Sequence, residues 1–165
     1  KAAGSRVLVD GINDVQIAER SNLTTSELLV RLGAAAPRFR RFRRRLPAPV
    51  RWMRVEGPGG ERITLGRVLD ALYTRDTWMH RIDIHRAVHR SPVLDGHDAA
   101  IVADAVAEWS ARHGRPFELR LTGPAGGRFS AGAHGERHEL DAIEFCRIVS
   151  GRGHGRGLLA TNVPF

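Results

Sequence analysis

Tyr73–Thr74–Arg75–Asp76–Thr77–Trp78–Met79–His80–Arg81–Ile82–Asp83 lies inside a long apolar-periodic segment, and what that segment buries decides the fold. Upstream, the Thr64 hydroxyl is placed to cap a helix, which the pattern carries to about Arg90 before Ser91–Pro92 ends it. Leu65, Leu69, Leu72, Asp76, His80 (or Met79), Asp83 and Ala87 recur every three or four residues, so they share one helix face. We expect that face to point inward. Asp76, His80 and Asp83 would then set ionisable groups into an apolar stripe, where unpaired charge is costly. Asp76 and His80 are one turn apart and can converge on one cation. Carboxylate and imidazole together suit zinc, iron, nickel or manganese, with zinc expected first. Asp83 would accept the imidazole's other hydrogen and orient the ring. Spacing alone leaves a second reading open, an internal Asp76–His80 ion pair that fixes helix packing.

Working outward from this segment, residues 5–20 have a loose helical pattern. Thr24 with Glu27 has capping-box spacing, and Leu28, Leu32, Ala35, Phe39 and Phe42 then define an amphipathic helix to about Arg45, stopped by Pro47 and Pro49. Residues 56–61 are expected to form a loop. A further helix spans about 97–113, with Gly114 as its left-handed terminator and Ile101, Val102, Ala105, Val106 and Trp109 as its apolar face. The pattern then changes. Phe117, Leu119 and Leu121 alternate with Glu118 and Arg120, a half-buried strand, and strand-like pieces follow near 128–131 and 137–140. Asp141 with Glu144 opens a last helix. The expected fold class is α+β: residues 1–114 form a mainly helical, metal-binding, bundle-like domain, and residues 115–165 a small α+β module.

Composition sets limits on function. The chain has 165 residues, 42% hydrophobic and 27% charged, a globular balance that argues against disorder. One cysteine, Cys146, excludes an intramolecular disulfide, and with no apolar run near 18 residues a cytoplasmic protein without membrane spans is expected. Cys146, beside Phe145, is expected to be a buried small apolar residue. Because the chain starts at Lys1 rather than methionine, we expect a fragment or processed form of something longer. Net charge is +8, mostly arginine, with a dense run at Arg38, Arg40, Arg41, Arg43, Arg44 and Arg45. Phe39 and Phe42 within that run continue the apolar stripe, so a solvated arginine face is expected, and nucleic acid is the less favoured partner. Gly123–Gly127 lacks the glycine spacing and following lysine of a phosphate loop and is expected to be a turn. His85 and His89 are expected at the surface, and His97, His113, His134, His138 and His154 as solvated histidines. Arg147 and Arg152 are the candidates to hold an anionic substrate, against a plainer packing or surface role.

The segment 73–87 resembles the metal-binding helix of the mycothiol-dependent maleylpyruvate isomerase-like family, of the DinB-like superfamily and actinobacterial type. Leu121–Phe129, Glu144–Arg152 and Leu158–Phe165 are similar to its C-terminal module. The resemblance implies a helical bundle with a divalent-metal site, normally one histidine of an early helix plus a Glu-x-x-x-His pair. Asp76 stands at the glutamate position and His80 at the histidine. No histidine precedes His80 here, so the expectation is a bundle short of a helix, with the missing ligand upstream of Lys1. The implied activity is mycothiol-utilising isomerase or transferase chemistry on a small electrophilic substrate, with a homodimer as the way to cover an incomplete bundle's apolar face. The runner-up is a non-catalytic module that binds a small ligand or protein and has a degenerate metal site. A basic nucleic-acid-associated protein comes third.

Overall fold

In the computed structural model, which describes residues 8–57 and 60–165, the capping box forms as expected. The Glu27 amide donates to Thr24 Oγ1 at 3.3 Å, and the Thr24 amide donates to Glu27 Oε2 at 2.8 Å. With two otherwise orphaned donors satisfied, α2 runs Thr25–Arg45, preceded by α1 at Leu8–Arg20. Pro47 follows the end of α2 as expected, but Pro49 sits in the first turn of a short helix, α3, Ala48–Arg51. An antiparallel hairpin forms from β1 (Arg54–Glu56) and β2 (Arg62–Thr64), in register Arg54↔Thr64 and Glu56↔Arg62; of the loop expected at 56–61, Glu56 is in β1 and residues 58 and 59 lie outside the described residues. Thr64 Oγ1 then accepts from the Arg67 amide at 3.2 Å and caps α4, Leu65–Arg67. Asp70 ties these pieces together, taking Arg43 at 3.4 Å and a shorter ion pair from Arg51.

Contacts divide the chain into two compact units, Lys1–Ala71 and Leu72–Phe165. A π-helical turn, Val68–Leu72, leads from α4 into α5, Tyr73–Ala87. The second unit adds α6 (Gly96–His113), β3 (Phe117–Thr122), β4 (Gly127–Ala131), β5 (Glu136–Asp141), α7 (Ala142–Val149) and a 3-10 turn at Gly157–Ala160. The fold is α+β and mainly helical, as the patterning predicts. The contact boundary falls at Leu72, because the helical residues 72–114 share their core with the strands that follow.

Alternation in β3 buries Phe117, Leu119 and Leu121 and exposes Glu118, Arg120 and Thr122. β3 is the centre of a three-stranded sheet of order β4-β3-β5, antiparallel to β4 and parallel to β5. The link from β4 to β5 is only residues 132–135, so it crosses the start of β3 at close quarters. Gly135 is required there, because any Cβ would collide with the Pro116–Phe117 backbone. The buried face of the sheet meets α6 and α7 around Trp109, which is fully buried. Its ring takes Phe117 and Phe145 edge-on at centroid distances of 4.9 and 5.5 Å, and its indole N–H donates to the Leu158 carbonyl at 3.0 Å. Among the described residues no helix is long and apolar enough to cross a membrane.

Candidate functional site

Helix α5 carries both predicted metal ligands. One turn apart, His80 Nε2 and Asp76 Oδ1 approach to 3.3 Å. The expected inward orientation is overturned: the His80 side chain is 62% exposed and that of Asp76 46%. The buried positions of this helix are Arg75, Trp78, Met79 and Ile82, following Leu72 of the π turn, while Ala87 is exposed. The physical reason lies upstream. A π-helical turn carries one more residue than an α-helical turn, so the stripe begun at Leu65 and Leu69 is rotated by about 100° on leaving it. The inward face after Leu72 is then set by Arg75, Trp78, Met79 and Ile82.

A divalent cation in a protein site needs three or more protein donors, or two with water making up the remainder at lower affinity. Among the described residues no group of three or more His, Cys, Asp and Glu side chains stands close enough to hold a metal. The Asp76–His80 pair therefore has the donor chemistry of a divalent-metal site but only two of its ligands, and does not by itself make a closed centre. Asp83 pairs with Arg152, Nε to Oδ2 at 2.9 Å, instead of orienting His80. Arg147 donates to the Arg152 carbonyl at 3.2 Å and pairs with Glu144 at 3.3 Å, while its Nε is buried with no hydrogen-bond partner. The structure thus brings Asp83 together with Arg147 and Arg152, which lie 64 and 69 residues further along the sequence.

Two buried charged groups escaped sequence reasoning. Arg75, 1% exposed, sits on the inward face of α5. Its guanidinium donates to Asp104 Oδ2 at 2.8 Å, to the Asp104 and Pro164 carbonyls at 3.0 and 3.2 Å, and to Glu108 at shorter range. Phe165 lies 5.8 Å from it, ring face to the charge. Asp98, 3% exposed, accepts from the Trp78 indole N–H at 2.7 Å, from the Asp95 amide at 2.7 Å, and from Arg81. Burial alone would raise the Asp98 carboxyl. The Asp95 amide, the Trp78 indole and the Arg81 charge outweigh it and hold the group below its ordinary value.

The histidines expected as solvated are not all so. His113 and His138 both flank Trp109, at centroid distances of 4.3 and 6.3 Å. The Arg115 amide donates to His113 Nδ1 at 3.0 Å, leaving Nε2 buried without a partner. Burial, then the charge of Arg115, pushes the His113 pKa down. His138 Nε2 is 3.1 Å from Glu136 but lacks hydrogen-bond geometry. His85 is likewise half-buried, its Nδ1 without a partner, whereas His89 is exposed. Cys146 is buried as expected, and burial pushes its thiol to about 12, so it is no nucleophile.

A concavity of about 550 Å³ lies on the outer face of the sheet, walled by Arg120, Arg128, Arg137, Glu118 and Glu139. None of the predicted site residues lines it. A family model, the mycothiol maleylpyruvate isomerase N-terminal domain, matches residues 1–85. No curated protein and no solved structure gives a significant match.

Proposed function

Because residues 1–85 match its model over half of the chain, the protein belongs to the mycothiol maleylpyruvate isomerase N-terminal domain family, and we propose that it is a metal-dependent isomerase or transferase using mycothiol on a small electrophilic molecule. One observation carries this reading. The Asp76 carboxylate and the His80 imidazole stand side by side at 3.3 Å within the matched residues, the donor pair that zinc chemistry asks for. In this reading they are two ligands of a divalent cation, and a further ligand comes from outside the described residues. A lowered pKa for a coordinated thiol or water is the chemistry such a cation supplies. Arg147 and Arg152 would grip a substrate carboxylate, with Asp83 holding Arg152 in place. Residues 1–114 then carry the ligand pair and residues 115–165 the anion-binding arginines. A reducing cytoplasm is the setting that suits both a thiol cosubstrate and the free Cys146.

A second reading has its own observation in favour. An exposed pair with two ligands also fits a family member that binds a small molecule without turning it over. The test is an isomerisation assay on a cis-unsaturated 2-oxo dicarboxylate, with zinc present and with or without mycothiol. The enzyme reading expects thiol-dependent conversion, lost in Asp76→Ala/His80→Ala. Thermal stabilisation by the same acid without any conversion would favour the binding module.

A further inference from the structure

Charge is unevenly divided along the chain. Before Leu72, 14 lysine and arginine side chains are set against 7 acidic ones; from Leu72 onward, 12 are set against 11. Seven of the eight net positive charges therefore belong to the first unit, and their densest run is the last two turns of α2. Arg43 of that run is drawn to Asp70. Arg38, Arg40, Arg41, Arg44 and Arg45 are exposed and have no acidic partner among the described residues.

At about 100° per residue these five arginines fill one sector of roughly 160° on the helix surface. Phe39 and Leu46 continue the apolar stripe on the opposite side, while Phe42 lies at its edge, about 40° from Arg38. Arg40, Arg41, Arg44 and Arg45 with Pro37 wall a cleft of about 420 Å³. Beside it a second cleft of about 380 Å³ is floored by Phe42, Leu46 and Pro47 and rimmed by Arg38, Arg41 and Arg45. Phe42, in the second cleft, is 51% exposed, and Arg41 and Arg45 line both clefts.

We propose that the C-terminal half of α2 is a binding surface for single-stranded nucleic acid. Five uncompensated guanidiniums in two turns repel one another until an anion of matching repeat displaces their counterions, and a phosphate backbone is such an anion. Successive arginines one turn apart track the phosphates, and the half-exposed Phe42 ring, set among cations, stacks an unpaired base. A duplex offers no unstacked base to that ring. A bilayer surface fits less well, because a helix lying on it turns its apolar face down, and the free arginines here lie on the far side from that face. The solvated arginine face expected from the sequence thus becomes a phosphate-binding one.

Fluorescence anisotropy with a labelled 20-nucleotide single strand of mixed sequence, titrated across sodium chloride concentrations, tests this. Arg40→Glu/Arg41→Glu/Arg44→Glu is compared with a charge-matched control at exposed arginines of the second unit, Arg86→Glu/Arg90→Glu/Arg128→Glu, with helicity checked by circular dichroism. The proposal expects the α2 variant to bind at least about tenfold more weakly, and its log K against log salt slope to shrink by about 2, given roughly 0.7 per phosphate on a single strand. The control stays within about twofold, and Phe42→Ala weakens the single strand but not the duplex. Equal losses in both charge variants would overturn the proposal, since binding would then follow net charge alone. So would anionic phospholipid vesicles that bind through α2 while oligonucleotide binding is unmoved by the same variant.

Discussion

Arg75 shows how far a single buried residue can organise its neighbourhood. Its guanidinium is satisfied by two carboxylates and two carbonyls, one of them from Pro164, so α5, α6 and the Pro164–Phe165 segment share one hub. Removing a partner from a buried pair leaves the other charge stranded, which costs more than the pair contributes. Glu108→Ala is therefore expected to lose about 3–5 kcal/mol in urea unfolding. A loss below about 1 kcal/mol would mean that Asp104 and the carbonyls suffice. Cys146 gives a second test at this scale. With its thiol pushed to about 12 and fully buried, the folded protein should not react with a thiol reagent at pH 8, and denaturant should release one thiol per chain. Rapid labelling of the folded protein would show that α7 opens readily.

At the scale of the element, the π-helical turn at Val68–Leu72 decides which side of α5 faces the core. Met79→Ala should then cost about 2–5 kcal/mol, as for a large core side chain cut to a stub. His80→Ala, one residue on, should stay within about 0.5 kcal/mol in the metal-free protein. The reverse order would restore the unshifted stripe. This is also where the sequence stops being legible. Elements with explicit punctuation can be read from it: Thr24–Glu27 opening α2, Gly114 closing α6 at φ 62°, and the alternation of β3. A π turn has no such signature, and the periodicity on either side of it is equally good, so Asp76 and His80 are found as a pair but assigned to the wrong face. The β1–β2 hairpin, three residues a side, is too short for its alternation to register. Arg75 escapes because its partners lie 29 to 89 residues away in sequence, and Asp98 because its side-chain partners Trp78 and Arg81 lie 20 and 17 away, only its bond to the Asp95 amide being local. Tertiary pairing of this kind leaves no local pattern, and the same holds for His113 and His138 against Trp109.

For the whole molecule, the perturbed groups make stability depend on pH in one direction. The His113 pKa is lowered in the fold from an ordinary 6.5, so the unfolded chain takes up a proton first as pH falls below 6.5, and stability drops until the folded imidazole protonates too. Asp98, held below an ordinary 3.8, adds stability that is present at neutral pH and lost as pH falls through its depressed value. The melting temperature should therefore decline from pH 7.5 to 5.5 in the wild type and decline less in His113→Asn. A parallel slope in both would clear His113 of the effect. The central claim remains the cation on α5. Its most direct test is the metal content of the protein purified without chelators, beside an Asp76→Ala/His80→Ala variant of equal helicity. The account predicts close to one zinc per chain in the wild type and none in the variant. A metal-free wild type that takes up no zinc on titration would contradict it and leave Asp76 and His80 as a surface ion pair.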